Sequence, residues 1–220
     1  MREPLGPVKM QKPSAAEWVP RTHDLRKLRT AAPSCRGCEL YARATQVVFG
    51  EGPQDAKVVM VGEQPGDEED RTGHPFVGPA GRLLSKAMLE AGLDRDKIYV
   101  TNAVKHFKWI ERGKRRIHAK PSGIEISACR PWLEAELAAI EPELVVCLGA
   151  TAAQSLMGPK FRITAQRGLF FPHQWAKELV ATVHPSAILR VPERYQEEYG
   201  LFIRDLTIIA ARVKELDPAS

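Results

Sequence analysis

The chain has 220 residues, 44% of them hydrophobic and 27% charged, with a net charge of +5. This length and balance exclude a disordered or fibrous chain and suit one domain with a full core. No stretch approaches the ~20 apolar residues of a membrane helix, and the Pro-rich basic start lacks the apolar core of a signal peptide, so a cytoplasmic protein is expected.

Residues 1–33, rich in Pro, Lys and Arg, read as an N-terminal extension or an outer wrapping helix ahead of a single domain over 34–220. Cys35-Arg-Gly-Cys38 follows, a spacing that lets two thiolates meet one metal centre, and Cys129 and Cys147 complete a set of four with no surplus. In a reducing compartment two disulfides are not expected. Zinc and an iron–sulfur cluster both use four thiolates, and the spacing leaves both open. The nearly continuous apolar run at 57–62 predicts a strand buried on both faces. It ends in Gly62-Glu63-Gln64-Pro65-Gly66, where the glycines let a ligand approach the backbone and Glu63 can steady a nearby cation. The segment is not GxGxxG, which argues against a dinucleotide cofactor. His74-Pro-Phe-Val-Gly78 is a turn able to present Phe76 as a stacking face. A helix is predicted over 79–93 and a second strand over 97–104, whose Asn102 carries an amide matching a base edge that presents a carbonyl beside an N–H.

Residues 105–123 read as a long, polar, basic loop, and long ordered loops tend to be functional. Within it Lys114-Arg115-Arg116-Ile117-His118 sets a histidine behind three cations. Three adjacent cations attract a phosphate backbone, and a neutral imidazole held there is a nucleophile. A helix over 124–140, a strand over 143–149, a helix over 150–157, irregular β structure over 161–175, a strand over 178–184 and a helix over 192–216 follow. Alternating strands and helices predict a three-layer α/β/α domain around a four-stranded parallel sheet. Ligands bind beyond the carboxyl ends of such strands, which is where Glu63, Asn102 and His184-Pro-Ser186 fall. His118 comes from the loop behind Asn102. The inventory is an aromatic face, an amide reader, a histidine donor, a carboxylate and a basic loop. It suits an enzyme that flips a base out of the stack.

These residues resemble the uracil-DNA glycosylase superfamily over nearly the whole chain, from Cys35 to the last helix. GEQPG, HPFVGPAGRLL, YVTNAVKH, the four cysteines and VHPSAIL resemble its iron–sulfur branch, family 4. That branch usually reads GE(A/G)PG and lacks KRRIH; Gln64 and KRRIH match the sister group called UdgX, which bonds covalently to uracil-containing DNA. The resemblance implies a uracil-excising hydrolase of DNA repair with a [4Fe–4S] cluster on Cys35, Cys38, Cys129 and Cys147. It implies that Phe76 stacks on uracil, that Asn102 reads its edge, and that His184 helps it leave. Glu63 steadies the sugar, and His118 takes the place of water at C1′, leaving an adduct after one turnover. Gln64 and Asp67 become uracil-pocket candidates, with Gln64 also helping to fix the loop. Lys114, Arg115, Arg116 and Ser186 become DNA contacts, with Arg116 also holding the loop. A monomer acting on DNA, single-stranded by preference, is expected. The alternative within the class is a turnover enzyme using water. The alternatives outside it are a non-catalytic nucleic-acid-binding protein with structural zinc and an iron–sulfur redox sensor.

Overall fold

The computed structural model describes residues 12–216. A five-stranded sheet has the order β2-β1-β5-β7-β6, with β1 Val58–Gly62, β2 Ile98–Asn102, β5 Leu144–Leu148, β6 Phe170–His173 and β7 Ala176–Thr182. Strands β1, β2, β5 and β7 are mutually parallel, as the apolar runs predict. The fifth strand, β6, is an antiparallel edge added to the expected four. It falls in the stretch read as irregular because it is four residues long, half-buried and interrupted by Pro172, which a sheet tolerates only at an edge.

Side chains alternate across the sheet. Val59, Val61, Tyr99, Val145 and Leu179 face α4 (Gly123–Ile140) through Trp132, Leu133 and Leu137. Val58, Met60, Val100, Val146 and Val180 face α3 (Pro79–Glu90) and α8 (Tyr195–Leu216) through Leu84, Met88, Phe202 and Leu206. The result is the three-layer α/β/α domain. Among the described residues no helix is long and apolar enough to cross a membrane. The described part of the N-terminal stretch packs into this domain. Ala15 and the buried Leu25 and Leu28 of α1 (Leu25–Ala31) join the α4 side of the core, and Ala15 N–H bonds the Ala128 carbonyl at 2.7 Å. Residues 1–11 lie outside the described residues.

The stretch 105–123 is not a loop throughout. It forms a hairpin, β3 Trp109–Arg112 paired with β4 Arg115–His118 in the register Trp109↔His118 and Glu111↔Arg116. Its outward positions are charged or exposed, so no core-facing alternation marks it in the sequence.

A buried ion pair ties β2 to α4. The Lys105 ammonium bonds the Glu136 carboxylate, the Thr101 hydroxyl at 2.6 Å and the Asn102 carbonyl at 2.8 Å. Glu136 also accepts from Gly50 N–H and Tyr99 O–H, each at 2.9 Å. Removing one partner strands a buried charge, so Lys105→Met is expected to cost ~3–5 kcal/mol, read as a lowered midpoint in a denaturant melt. A melt within ~1 kcal/mol of the parent would show that the pair contributes little net stability.

Candidate active site

Parallel pairing puts the carboxyl ends of β1, β2, β5 and β7 on one edge. β2 lies to one side of β1 and β5 to the other, so the crevice between β1 and β5 is the switch point where ligands bind in such sheets. Asn102, Phe76 and His184 meet there. A Cβ on Gly62 would stand 2.3 Å from Asn102 Oδ1 and 2.8 Å from Phe76 Cζ, so the reader amide and the aromatic ring both lie against that glycine. The Phe76 and His184 rings stack at 6.5 Å and 29°. Phe76 is held at φ 59°, a strained left-handed value for a side chain of its size. A Cβ on Gly81 would fall 1.7 Å from the Phe76 carbonyl oxygen, so only glycine lets α3 pack under this turn. Glu69 joins the turn to the GEQPG segment, accepting Gly66 N–H at 3.0 Å and Gly78 N–H at 2.8 Å.

Asn102 is 3% exposed, yet its side-chain amide makes no hydrogen bond among the described residues. Its amide atoms are not sealed from solvent, so they are free to bond a group that enters the crevice.

His184 caps α7 (Pro185–Leu189), and its Nδ1 accepts the Ser186 N–H at 3.2 Å and sits 2.8 Å from Ser186 Oγ. With Nδ1 accepting, the neutral ring carries its proton on Nε2. Burial, followed by the nearby Arg190 and His118, pushes the His184 pKa down to about 4. The acid limb of activity assigned to His184 is therefore expected near pH 4 rather than 6.5. Arg190→Gln, by removing a cation, should move that limb toward neutrality in a kcat/KM–pH profile; an unmoved limb would remove His184 from the profile.

His118 ends β4 with its Nε2 3.6 Å from Glu63 Oε1. Burial lowers its pKa, Glu63 opposing and Arg190 assisting, which keeps the ring neutral near pH 7. Phe107 packs 6.1 Å away. The hairpin that carries His118 is locked from two sides. Gln64, 6% exposed, donates to the Lys108 and Ala119 carbonyls and accepts Lys108 N–H, all at 3.1 Å. Arg116 donates to Asp67 at 2.5 Å and Asp70 at 2.6 Å, with Thr45 Oγ1 at 3.1 Å.

The structure thus places Gln64, Asp67 and Arg116 in the scaffold of the hairpin. Gln64 has its amide spent on backbone, Asp67 is paired with Arg116 and Arg71, and the Arg116 guanidinium is 17% exposed between two carboxylates. Lys114 and Arg115 remain exposed at the hairpin tip. Sequence reasoning missed Glu69, Asp70, Phe107 and Arg190. Asp70 sits in the run Asp67-Glu-Glu-Asp70, and its inward pairing depends on Arg116 and Thr45, both distant in sequence.

All four cysteines border the α4 side of the core, three within it and Cys38 packed against it. Desolvation raises the Cys38 and Cys129 thiols, Cys129 to about 12, and the nearby Cys35 adds to both. Two sulfurs already accept backbone N–H groups, Cys129 from Lys105 at 3.2 Å and Cys35 from Gly37 at 3.5 Å. Such bonds favour thiolate ligands. Among the described residues, no three His, Cys, Asp or Glu side chains reach the spacing that holds a single metal ion. Four thiols are a ligand set that suits an iron–sulfur cluster and zinc alike.

The sequence profile described as the uracil DNA glycosylase superfamily matches residues 49–207. The chain belongs to the uracil DNA glycosylase superfamily. Within it, the chain is 41% identical over 184 residues to a type-4 uracil-DNA glycosylase of Thermotoga maritima, covering 82% of this chain and 90% of that one. It is 36% identical over 198 residues to the type-4 enzyme of Sulfurisphaera tokodaii, covering 86% and 87%. A type-5 uracil-DNA glycosylase of Thermus thermophilus is 30% identical over 170 residues, covering 69% and 73%.

Proposed function

We propose that this protein cleaves the N-glycosidic bond of deoxyuridine in DNA, as a single glycosylase domain over residues 34–220 with residues 12–33 packed on it. The observation that carries this reading is Asn102, whose side-chain amide has no hydrogen-bond partner among the described residues and stays open to the crevice, beside the Phe76 ring and His184. Uracil flipped between Phe76 and the strand ends would satisfy it, carbonyl to Nδ2 and N–H to Oδ1. As the bond to C1′ breaks, its electron pair leaves with the base, and the developing charge on the uracil oxygen is met by His184 Nε2–H. Glu63 faces the positive sugar. Lys114 and Arg115 take the flanking phosphates, while the Ser186 hydroxyl and N–H are turned to His184 Nδ1. Single strands are the favoured substrate because unpairing costs nothing there, and nothing in the site needs a second copy of the chain.

The named relatives fit a conventional outcome best, in which water attacks C1′ and an abasic site is released. One observation favours a second reading. His118 stands beside Glu63 as a neutral imidazole on a hairpin that Gln64, Asp67, Asp70 and Arg116 hold rigid. In that reading the Nε2 lone pair bonds C1′, the other ring proton goes to solvent, and the DNA stays attached. Cys35, Cys38, Cys129 and Cys147 would hold a [4Fe–4S] cluster. It supplies no step here; its ligands tie the N-terminal segment to α4 and β5.

The test is a single-stranded oligonucleotide with one uracil, in excess over protein, with cytosine and thymine strands as controls. Release of uracil alone supports the activity; no base release, or equal release of all three, contradicts it. On a denaturing gel, abasic DNA beyond one equivalent means water. A heat-stable protein–DNA band, lost in His118→Ala, means capture.

A further inference from the structure

A second cleft opens on the far side of the His74–Gly78 turn, and the proposed activity makes no use of it. Its volume is about 490 Å³, and Arg29, Arg36, Tyr41, Gln46, His74 and His106 are among its walls. That is the size range of sites for small ligands.

His106 marks this cleft as a place for a ligand. It is 6% exposed, and its ring makes no hydrogen bond among the described residues. A neutral ring with one free donor and one free acceptor is therefore aimed into a cavity. At the rim, Arg36 lies 4.7 Å over the Tyr41 ring, which is 39% exposed. Such guanidinium–aromatic pairs are platforms on which a base stacks, with the charge beside it for a phosphate. Glu51 offsets Arg29 at 3.6 Å and holds His74 at 2.6 Å, whereas Arg36, whose Nη1 donates to the Pro33 and Cys35 carbonyls at 3.0 and 2.9 Å, has no carboxylate partner among the described residues and keeps its charge for an anion.

The cleft is continuous with the active site. From Tyr41 the chain runs to Arg43, whose guanidinium lies 4.5 Å over Trp109 and whose carbonyl accepts the Trp109 indole N–H at 3.0 Å. It continues to Thr45, which meets Asp70 and Arg116. Two stacked pairs, Arg36–Tyr41 and Arg43–Trp109, thus lead from the cleft to the hairpin that carries His118. On the other side, His74 lines the cleft while Phe76, two residues on, lines the base pocket.

We infer that this cleft binds an unpaired nucleotide of the DNA strand flanking the target base, its base stacked at Tyr41, its phosphate at Arg36 and its edge bonded to His106. The inference rests on the proposed activity for its choice of strand and extends the protein's grip beyond the flipped base.

The test measures binding of a fluorescent single strand of about twelve nucleotides that lacks uracil. Tyr41→Ala and Arg36→Gln, both at exposed positions, should each weaken binding about tenfold, and Arg36→Gln should lower the salt slope by about one. Excision from a uracil trinucleotide should be unchanged, while the longer strand shows a raised KM and an unchanged kcat. A purely structural role would alter both lengths alike and would overturn the inference, as would wild-type binding of the long strand by both variants. Binding of a free deoxynucleoside monophosphate as tight as that of the strand would overturn the choice of a strand nucleotide. Tyr41-dependent strand binding without any uracil release by the parent would instead sink the activity and leave the cleft standing.

Discussion

Gly62→Ala is expected to lower kcat/KM for uracil excision by about 1,000-fold, nearly as much as Asn102→Ala, although it removes no polar group. The added methyl would overlap Asn102 Oδ1 at 2.3 Å and press on the Phe76 ring at 2.8 Å. Neither neighbour can yield cheaply. Asn102 ends a strand paired in register with β1, and Phe76 is pinned at a strained φ over Gly81. The amide must turn away from the base, and a site built to bond a polar edge loses most of its discrimination when that group is displaced. Steady-state kinetics with a uracil strand, beside a thermal melt, separates this from unfolding. A folded Gly62→Ala protein with near-parent activity would show that Asn102 does not face the base.

His184→Ala should lower kcat by about 100- to 1,000-fold with little change in KM, the loss of one donor to charge that develops only in the transition state. Ser186→Ala offers a finer test of the same idea. Its hydroxyl, 2.8 Å from His184 Nδ1, supports the tautomer that presents Nε2–H, while the Ser186 N–H at 3.2 Å remains. A loss of about tenfold is expected in kcat. Equal losses for the two variants would point to Ser186 itself touching substrate, and a KM effect in His184→Ala would recast the histidine as a binding group.

Much of this site was legible in the sequence because the strands are apolar runs, and a parallel sheet carries its chemistry at strand ends. Once residues 57–62 and 97–104 read as strands, Glu63 and Asn102 had to share a rim. What remained hidden depends on partners distant along the chain. Lys105 reads as a surface cation until Glu136, 31 residues away, is seen beneath it. Gln64 reads both as a pocket residue and as a support of the loop, and its bonds to backbone 44 and 55 residues on give it the second part. Arg116 reads as a phosphate contact, and Asp67 and Asp70 consume it. The hairpin reads as loop because its strands bury no regular face, and the edge strand β6 reads as irregular β structure because Pro172 breaks its pattern.

The most direct test of the central claim is mass spectrometry of protein and DNA after incubation of the parent protein with a single strand carrying one uracil. The account predicts a strand that has lost its uracil, whether free as an abasic product or joined to the protein at His118, and an unchanged strand with Asn102→Ala. A uracil strand recovered intact from folded, cluster-loaded parent protein would contradict it.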